Sequence, residues 1–256
     1  MEDSKLPLTA HLSELRKRIL ISSVVLFVAF LVLFNYSAYL FGVLTFPLKS
    51  EMKFDFTNPY LHIKEKTPVS LVFLAPAEAF WMHMKVSFVA SFIFALPLIF
   101  YQIWKFIAPG LKSNEKKYVI PFLVTSTLLF LAGSLFCFLI VLPFAMTFLL
   151  GYKTGSLTPM ISVGNYIDFC LKFILAFGAI FELPLVIIFL TKFEIVSPSS
   201  LAKHRKYAVL FAFIAAAMLT PTPDAFNQCL MSVPIIILYE IGIILSRVIY
   251  RKKKIA

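Results

Sequence analysis

The chain has 256 residues, with 24 Lys and Arg against 13 Asp and Glu, yet 60% of it is hydrophobic and only 14% is charged. A soluble domain carries about a quarter charged residues, and with a mean hydropathy of +0.90 this composition excludes one. The net charge of +11 does not point to nucleic acid either. The basic residues cluster at the ends of apolar runs, as expected for loops held beside an anionic leaflet.

In chain order, residues 1–18 form a cytoplasmic amphipathic segment. Leu8, Leu12, Leu15 and Ile19 recur at helical spacing and Thr9 can cap. The segment is expected to lie along the membrane interface before turning into the first span. The apolar run from Ile19 is too long for a signal-peptide core and lacks a small-residue cleavage site, so it is expected to remain as a span. Apolar runs of about 20 residues cross a core of about 30 Å. Read that way, the spans fall at about 19–40, 77–106, 118–150, 163–190, 207–220 and 226–249. Residues 41–76 make a long outer loop that can cap the molecule, and 250–256 are a basic tail. The whole chain reads as one integral membrane domain.

Backbone groups in lipid must be satisfied internally, so each span is expected to be a helix, and the alternation of a barrel is absent. Seventeen Lys and Arg fall on the side of the two termini and five on the other, with Lys85 and Lys172 inside spans. That asymmetry places both termini in the cytoplasm. Pro97, Pro121, Pro143, Pro184 and Pro234 interrupt spans and imply bent helices in a cupped, concave arrangement. The expectation is an all-α polytopic membrane protein of six transmembrane helices.

Little supports catalysis. His11, His62, His83 and His204 are scattered and form no H-E-x-x-H pair, and no G-x-S-x-G elbow occurs. The stretch from Gly151 to Ser156 lacks the spacing of a phosphate-binding loop. Cys137, Cys170 and Cys229 lie in apolar segments and read as packing residues. No catalytic residue, metal site or cofactor is expected.

Two acids stand out on the cytoplasmic side. Glu14 sits among basic neighbours, where an i,i+4 pair with Arg18 would contribute a few tenths of a kcal/mol. Glu115 lies in the loop after the second span, also among lysines. Either acid alone can simply neutralise its neighbours. Two together can receive two cationic side chains of a ligand, and bidentate geometry favours arginine over lysine.

These residues also carry a resemblance. The stretch from His11 to Arg18, Phe46-Pro47-Leu48, Pro76-Ala77-Glu78-Ala79-Phe80, Tyr101-Gln102-Ile103-Trp104 through Leu111, Ala176-Phe177-Gly178 with Phe181-Glu182-Leu183-Pro184, and Thr220-Pro221-Thr222-Pro223-Asp224 follow in order. Together they resemble the TatC family, the polytopic core of the twin-arginine protein translocase, almost end to end. The resemblance implies a non-enzymatic receptor in the cytoplasmic (inner) membrane of a prokaryote. It would bind twin-arginine signal peptides of folded precursors through Glu14 and Glu115, with Arg16 and Phe106 nearby. It further implies the single-span partners TatA and TatB, further copies of the chain in the complex, and energy from the proton gradient. Pro47, Glu78, Lys85, Pro109, Asp224 and Gln228 fall at other positions of the family pattern.

Polar residues inside spans leave choices open. A charged Glu182 would be costly in hydrocarbon, so it is either protonated or faces a wet cavity. It can carry protons or dock a partner helix, and the resemblance favours docking, with Pro184 bending the helix to form a recess. Asp168 and Lys172 are spaced as an ion pair, and Glu240 reads as structural. The fifth span has about 14 residues, or ~21 Å, and is short for the bilayer. Its Ala208, Ala212 and Ala216 form a small-residue seam that serves a partner helix or packing within the chain. A small-solute transporter using Glu182 or Asp168–Lys172 is the main competitor, but the repeated broken halves it requires are not evident.

Overall fold

The protein is described here from a computed structural model covering residues 8–54, 61–65, 71–110, 116–151, 160–220 and 224–255. Helix α1 (Leu8–Phe34) contains no Gly or Pro. It therefore runs without interruption through residue 18, and the turn expected between an interfacial segment and the first span is not there. It ends where the Asn35 side chain donates to the Leu31 carbonyl at 2.8 Å, competing with the backbone ladder.

The described part of the segment that follows, read from sequence as an outer loop, carries regular structure. Short helices α2 (Ser37–Leu44) and α3 (Phe46–Lys49) lead into an antiparallel hairpin. Its strands β1 (Ser50–Phe54) and β2 (Leu61–Glu65) pair with Ser50 opposite Glu65 and Phe54 opposite Leu61. Pro47 lies in the first turn of α3, where its missing N–H is no loss, and is fully buried. Strand β3 (Leu71–Val72) pairs in parallel with β4 (Ile161–Ser162), Leu71 opposite Ile161.

Helix α4 (Glu78–Ile107) carries Pro97 internally without a break. Helices α5 (Val119–Phe136) and α6 (Leu142–Gly151) are joined by a π-turn at Cys137–Val141, where the Leu142 N–H donates to the Cys137 carbonyl. Pro143 follows immediately; it has no N–H, and its ring crowds the preceding turn, so a local widening accommodates it. Helices α7 (Val163–Phe181) and α8 (Leu183–Lys192) meet at Glu182. At the end of α8, Glu194 adopts a left-handed conformation (φ 61°), and the Ile195 N–H returns to the Leu190 carbonyl. Then come α9 (Pro198–Lys203), α10 (Arg205–Leu219) and α11 (Ala225–Ile255).

Among the described residues, five helical stretches are long and apolar enough to cross a membrane: His11–Phe34, Glu78–Ile107, Lys116–Gly151, Val163–Lys192 and Ala225–Tyr250. Apart from two small sheets, the chain is an all-α polytopic membrane protein. Helix α10, with 15 residues, is shorter than these, as the sequence predicts.

The chain forms two compact units, one of Met1–Leu40 with His83–Leu128 and one of Phe41–Met82 with Leu129–Ala256. In the second unit α5 and α7 approach closely through glycines. A Cβ on Gly133 would lie 2.6 Å from the Phe177 carbonyl oxygen, and one on Gly178 would lie 2.6 Å from the Phe130 ring. Gly242 of α11 does the same against α8, 2.6 Å from Ile187. Small residues let helices close up where lipid supplies no hydrophobic drive.

Candidate functional site

In the first unit, residues that the sequence expects on the cytoplasmic side gather where the beginning of α1 meets the end of α4. The His11 ring stacks on Phe106 with centroids 4.3 Å apart and planes at 21°. One helical turn along α1, Glu14 Oε1 accepts from Arg18 Nη2 at 3.0 Å. The local pairing expected of Glu14 is therefore present. Arg18 does more than that, because its Nη1 also donates to Gln102 Oε1 on α4 at 3.2 Å. Behind this cluster runs a groove of about 290 Å³ whose walls include Leu15, Ile19, Leu26, Phe92, Ile99 and Phe106. Nearby on α4, Trp104 is buried, with its ring 5.3 Å from Phe122.

Arg16 is exposed on α1, and Pro109 is exposed in the 3-10 turn Ala108–Gly110 that ends α4. Glu115 lies outside the described residues. Gln102, an uncharged side chain in the last turns of a span, carries no sequence signal of a role; the fold joins it to Arg18 and through Arg18 to Glu14.

In the second unit, Glu182 sits at the junction of α7 and α8 (φ −72°, ψ −17°). Its N–H bonds the Ala179 carbonyl at 3.1 Å, a tightened turn, and Pro184 then opens α8. The break expected beside Pro184 has this local cause: the proline lacks the N–H that would continue the ladder. Glu182 is half-buried, with Oε1 turned inward, and the neighbouring Phe181 ring lies 5.6 Å from Phe136.

Gln228 ties α11 to α10 by donating from Nε2 to the Phe213 carbonyl at 3.1 Å. The alanine seam of α10 resolves toward packing within the chain. Ala212 and Ala216 are fully buried and Ala208 half-buried, while Leu210, Phe211, Ile214 and Met218 are exposed. Of the two readings left open for the seam, the buried Ala212 and Ala216 agree with packing within the chain, where α10 packs on α11 and the bulky residues are exposed.

Three further family positions acquire structural roles. Asp224 caps α11, its Oδ1 accepting from the Asn227 N–H at 2.7 Å and its Oδ2 from Asn227 Nδ2 at 3.0 Å. Glu78 opens α4 and clamps two segments together. Its Oε2 accepts from the Leu74 N–H at 2.6 Å, and its Oε1 from the Gly164 N–H at 2.7 Å and the Ser162 hydroxyl. Ser162 in turn caps α7 through the Asn165 N–H. Gly164 is required there, because a Cβ would lie 2.6 Å from Glu78 Oε1. Lys85 is exposed on α4, consistent with a side chain that snorkels. Glu240, read as structural, pairs with Arg205 at 2.7 Å beside Tyr239, whose hydroxyl donates to the Leu201 carbonyl at 3.0 Å. Among the described residues no group of three His, Cys, Asp or Glu can hold a metal ion.

The family model described as Sec-independent protein translocase protein (TatC) matches residues 10–234. The Sec-independent protein translocase protein TatC of Carboxydothermus hydrogenoformans is 39% identical over 253 residues, covering 99% of this chain and 98% of that one. That of Aquifex aeolicus is 41% identical over 251 residues, covering 97% and 98%. Among solved structures, a crystal structure of the twin-arginine translocase receptor TatC superposes with a TM-score of 0.77 at 38% identity, covering 93% of this chain and 99% of the other. A second, in the detergent DDM, gives 0.79 at 39% identity, covering 92% and 99%. With the motifs in order and the match spanning nearly all of its length, this multi-pass membrane protein belongs to the TatC family of Sec-independent protein translocase proteins.

Proposed function

We propose that this chain is the receptor core of a twin-arginine translocase, binding signal peptides of folded precursors on the cytoplasmic face of a prokaryotic inner membrane. Glu14 and Glu115 each receive one arginine, with Phe106 and Arg16 at the same mouth. The observation that carries this reading is Glu14 itself, a carboxylate already engaged with a guanidinium at the head of an apolar groove. A signal peptide with consecutive arginines followed by an apolar stretch matches that succession of charge and grease.

The second unit serves assembly. Glu182 at the helix break and Gln228 beside α10 are the polar groups that meet TatA- and TatB-type single-span helices, with the exposed Leu210, Phe211, Ile214 and Met218 as the apolar surround. Further copies of the chain join the same complex, and the proton gradient supplies the energy. Both termini face the cytoplasm, as the seventeen-to-five distribution of Lys and Arg supports.

Crosslinking tests the receptor role. A photoreactive twin-arginine signal peptide should label the protein in membranes, and a twin-lysine version should label it weakly. Glu14→Ala and Glu115→Ala should each abolish most labelling. Labelling indifferent to both the arginines and the two carboxylates would overturn the proposal.

A further inference from the structure

A guanidinium is already seated in this site, and it belongs to the chain itself. The Glu14 contact is one that an i,i+4 pair on a single helix can make, but the Gln102 contact comes from 84 positions away on α4. The two acceptors take different terminal nitrogens of Arg18, so the planar fork is gripped from two elements. The Arg18 side chain is only 15% exposed and that of Glu14 only 23%. Arg18 Nε is buried and makes no hydrogen bond among the described residues. An unmatched donor in a desolvated place weakens the seating, and the long side chain can swing its head out to water.

We propose that Glu14 and Gln102 form a two-acceptor guanidinium site that Arg18 fills in the free receptor and yields to an arginine of the signal peptide. Gln102 then becomes the residue that selects arginine over lysine. The donors of an ammonium radiate from one atom, whereas these acceptors are set to meet separate nitrogens of a rigid fork. The groove continues from the same place, since the Arg18 stem lines it together with Leu15, Ile19 and Phe106. Exchange therefore frees the mouth of the groove as it frees Glu14. This inference rests on the reading that Glu14 receives a signal-peptide arginine.

The test uses the purified full-length chain in detergent and a fluorescent synthetic signal peptide, read by anisotropy. Arg18→Met keeps the apolar stem and removes the competing head; it should tighten binding of the twin-arginine peptide about fivefold. Lys17→Met removes the same charge from an exposed neighbour and should change binding by less than about twofold. In the Arg18→Met background, Gln102→Ala should then weaken the twin-arginine peptide about fivefold and leave the twin-lysine peptide nearly unchanged. Gln102→Glu in that background should tighten the twin-arginine peptide, and thermal melts identify any variant that fails to fold. Arg18→Met no tighter than Lys17→Met, or Gln102→Ala without effect once Arg18 is gone, would overturn the exchange. Loss of the Glu14 carboxylate without effect on the wild-type affinity sinks the underlying receptor reading instead.

Discussion

At the scale of single residues, two positions of the family pattern hold local structure through hydrogen bonds. Asp224 satisfies an orphan N–H in the first turn of α11 and the amide of the fully buried Asn227. Removing it strands both donors, so Asp224→Ala is expected to lower stability by about 1–2 kcal/mol, whereas Asp224→Asn keeps the cap and loses less. Apparent melting temperatures in detergent check the order. Glu78 is a different device: one carboxylate joins the turn before α4 to the start of α7, and Gly164 leaves room for it. Melting temperature should fall most for Glu78→Ala and less for Glu78→Gln, which still presents an acceptor. Gly164→Ala should destabilise as well, because its new methyl group occupies the place of the Glu78 oxygen. If Glu78→Ala melts like the wild type, the clamp has no stabilising role.

At the scale of elements, the reciprocal Gly133–Phe177 and Gly178–Phe130 contacts set the separation of α5 and α7. The Gly133 Cβ meets a backbone carbonyl that cannot rotate away. Gly133→Ala is expected to cost about 1–3 kcal/mol, while Gly42→Ala, with nothing within 4 Å, should be silent in the same thermal assay. The short α10 makes a separate prediction. Its 15 residues span about 22 Å against a core of about 30 Å. An added apolar turn should impair export and spare signal-peptide binding; unchanged export would dismiss bilayer thinning as part of the mechanism. The spans themselves were legible because their signal is local: length, hydropathy, and proline at Pro143 and Pro184, which produced a π-turn and a break beside them. The hairpin of β1 and β2 was not legible, since a mixed outer loop carries no strong periodicity and strand pairing is a non-local choice. The seam of α10 was ambiguous for a related reason. Alanine spacing reports a close approach and does not say whether the approaching helix is in this chain or another; Ala212 and Ala216 are buried within the chain, in a helix that packs on α11. The same distance in sequence hid the partnership of Gln102 with Arg18.

At the scale of the whole molecule, function depends on which side of the membrane each loop occupies, and hydrophobicity alone does not fix that. Charge bears on it: by sequence, seventeen Lys and Arg fall on the side assigned to the termini and five on the other, a bias that supports the proposed orientation. In the proposed orientation Glu14 lies where cytoplasmic precursors reach it, and Glu78, with the β3–β4 pair, lies on the opposite side. Single cysteines test this in a background lacking the exposed Cys229. Met160, which is 76% exposed before α7, should react as Met160→Cys with a membrane-impermeant thiol reagent added to intact spheroplasts. Lys203→Cys, at the exposed end of α9, should react only after the membrane is opened. The reversed pattern would put Glu14 on the face that never meets an unexported protein, and no arrangement of carboxylates there could act as a receptor for a cytoplasmic address.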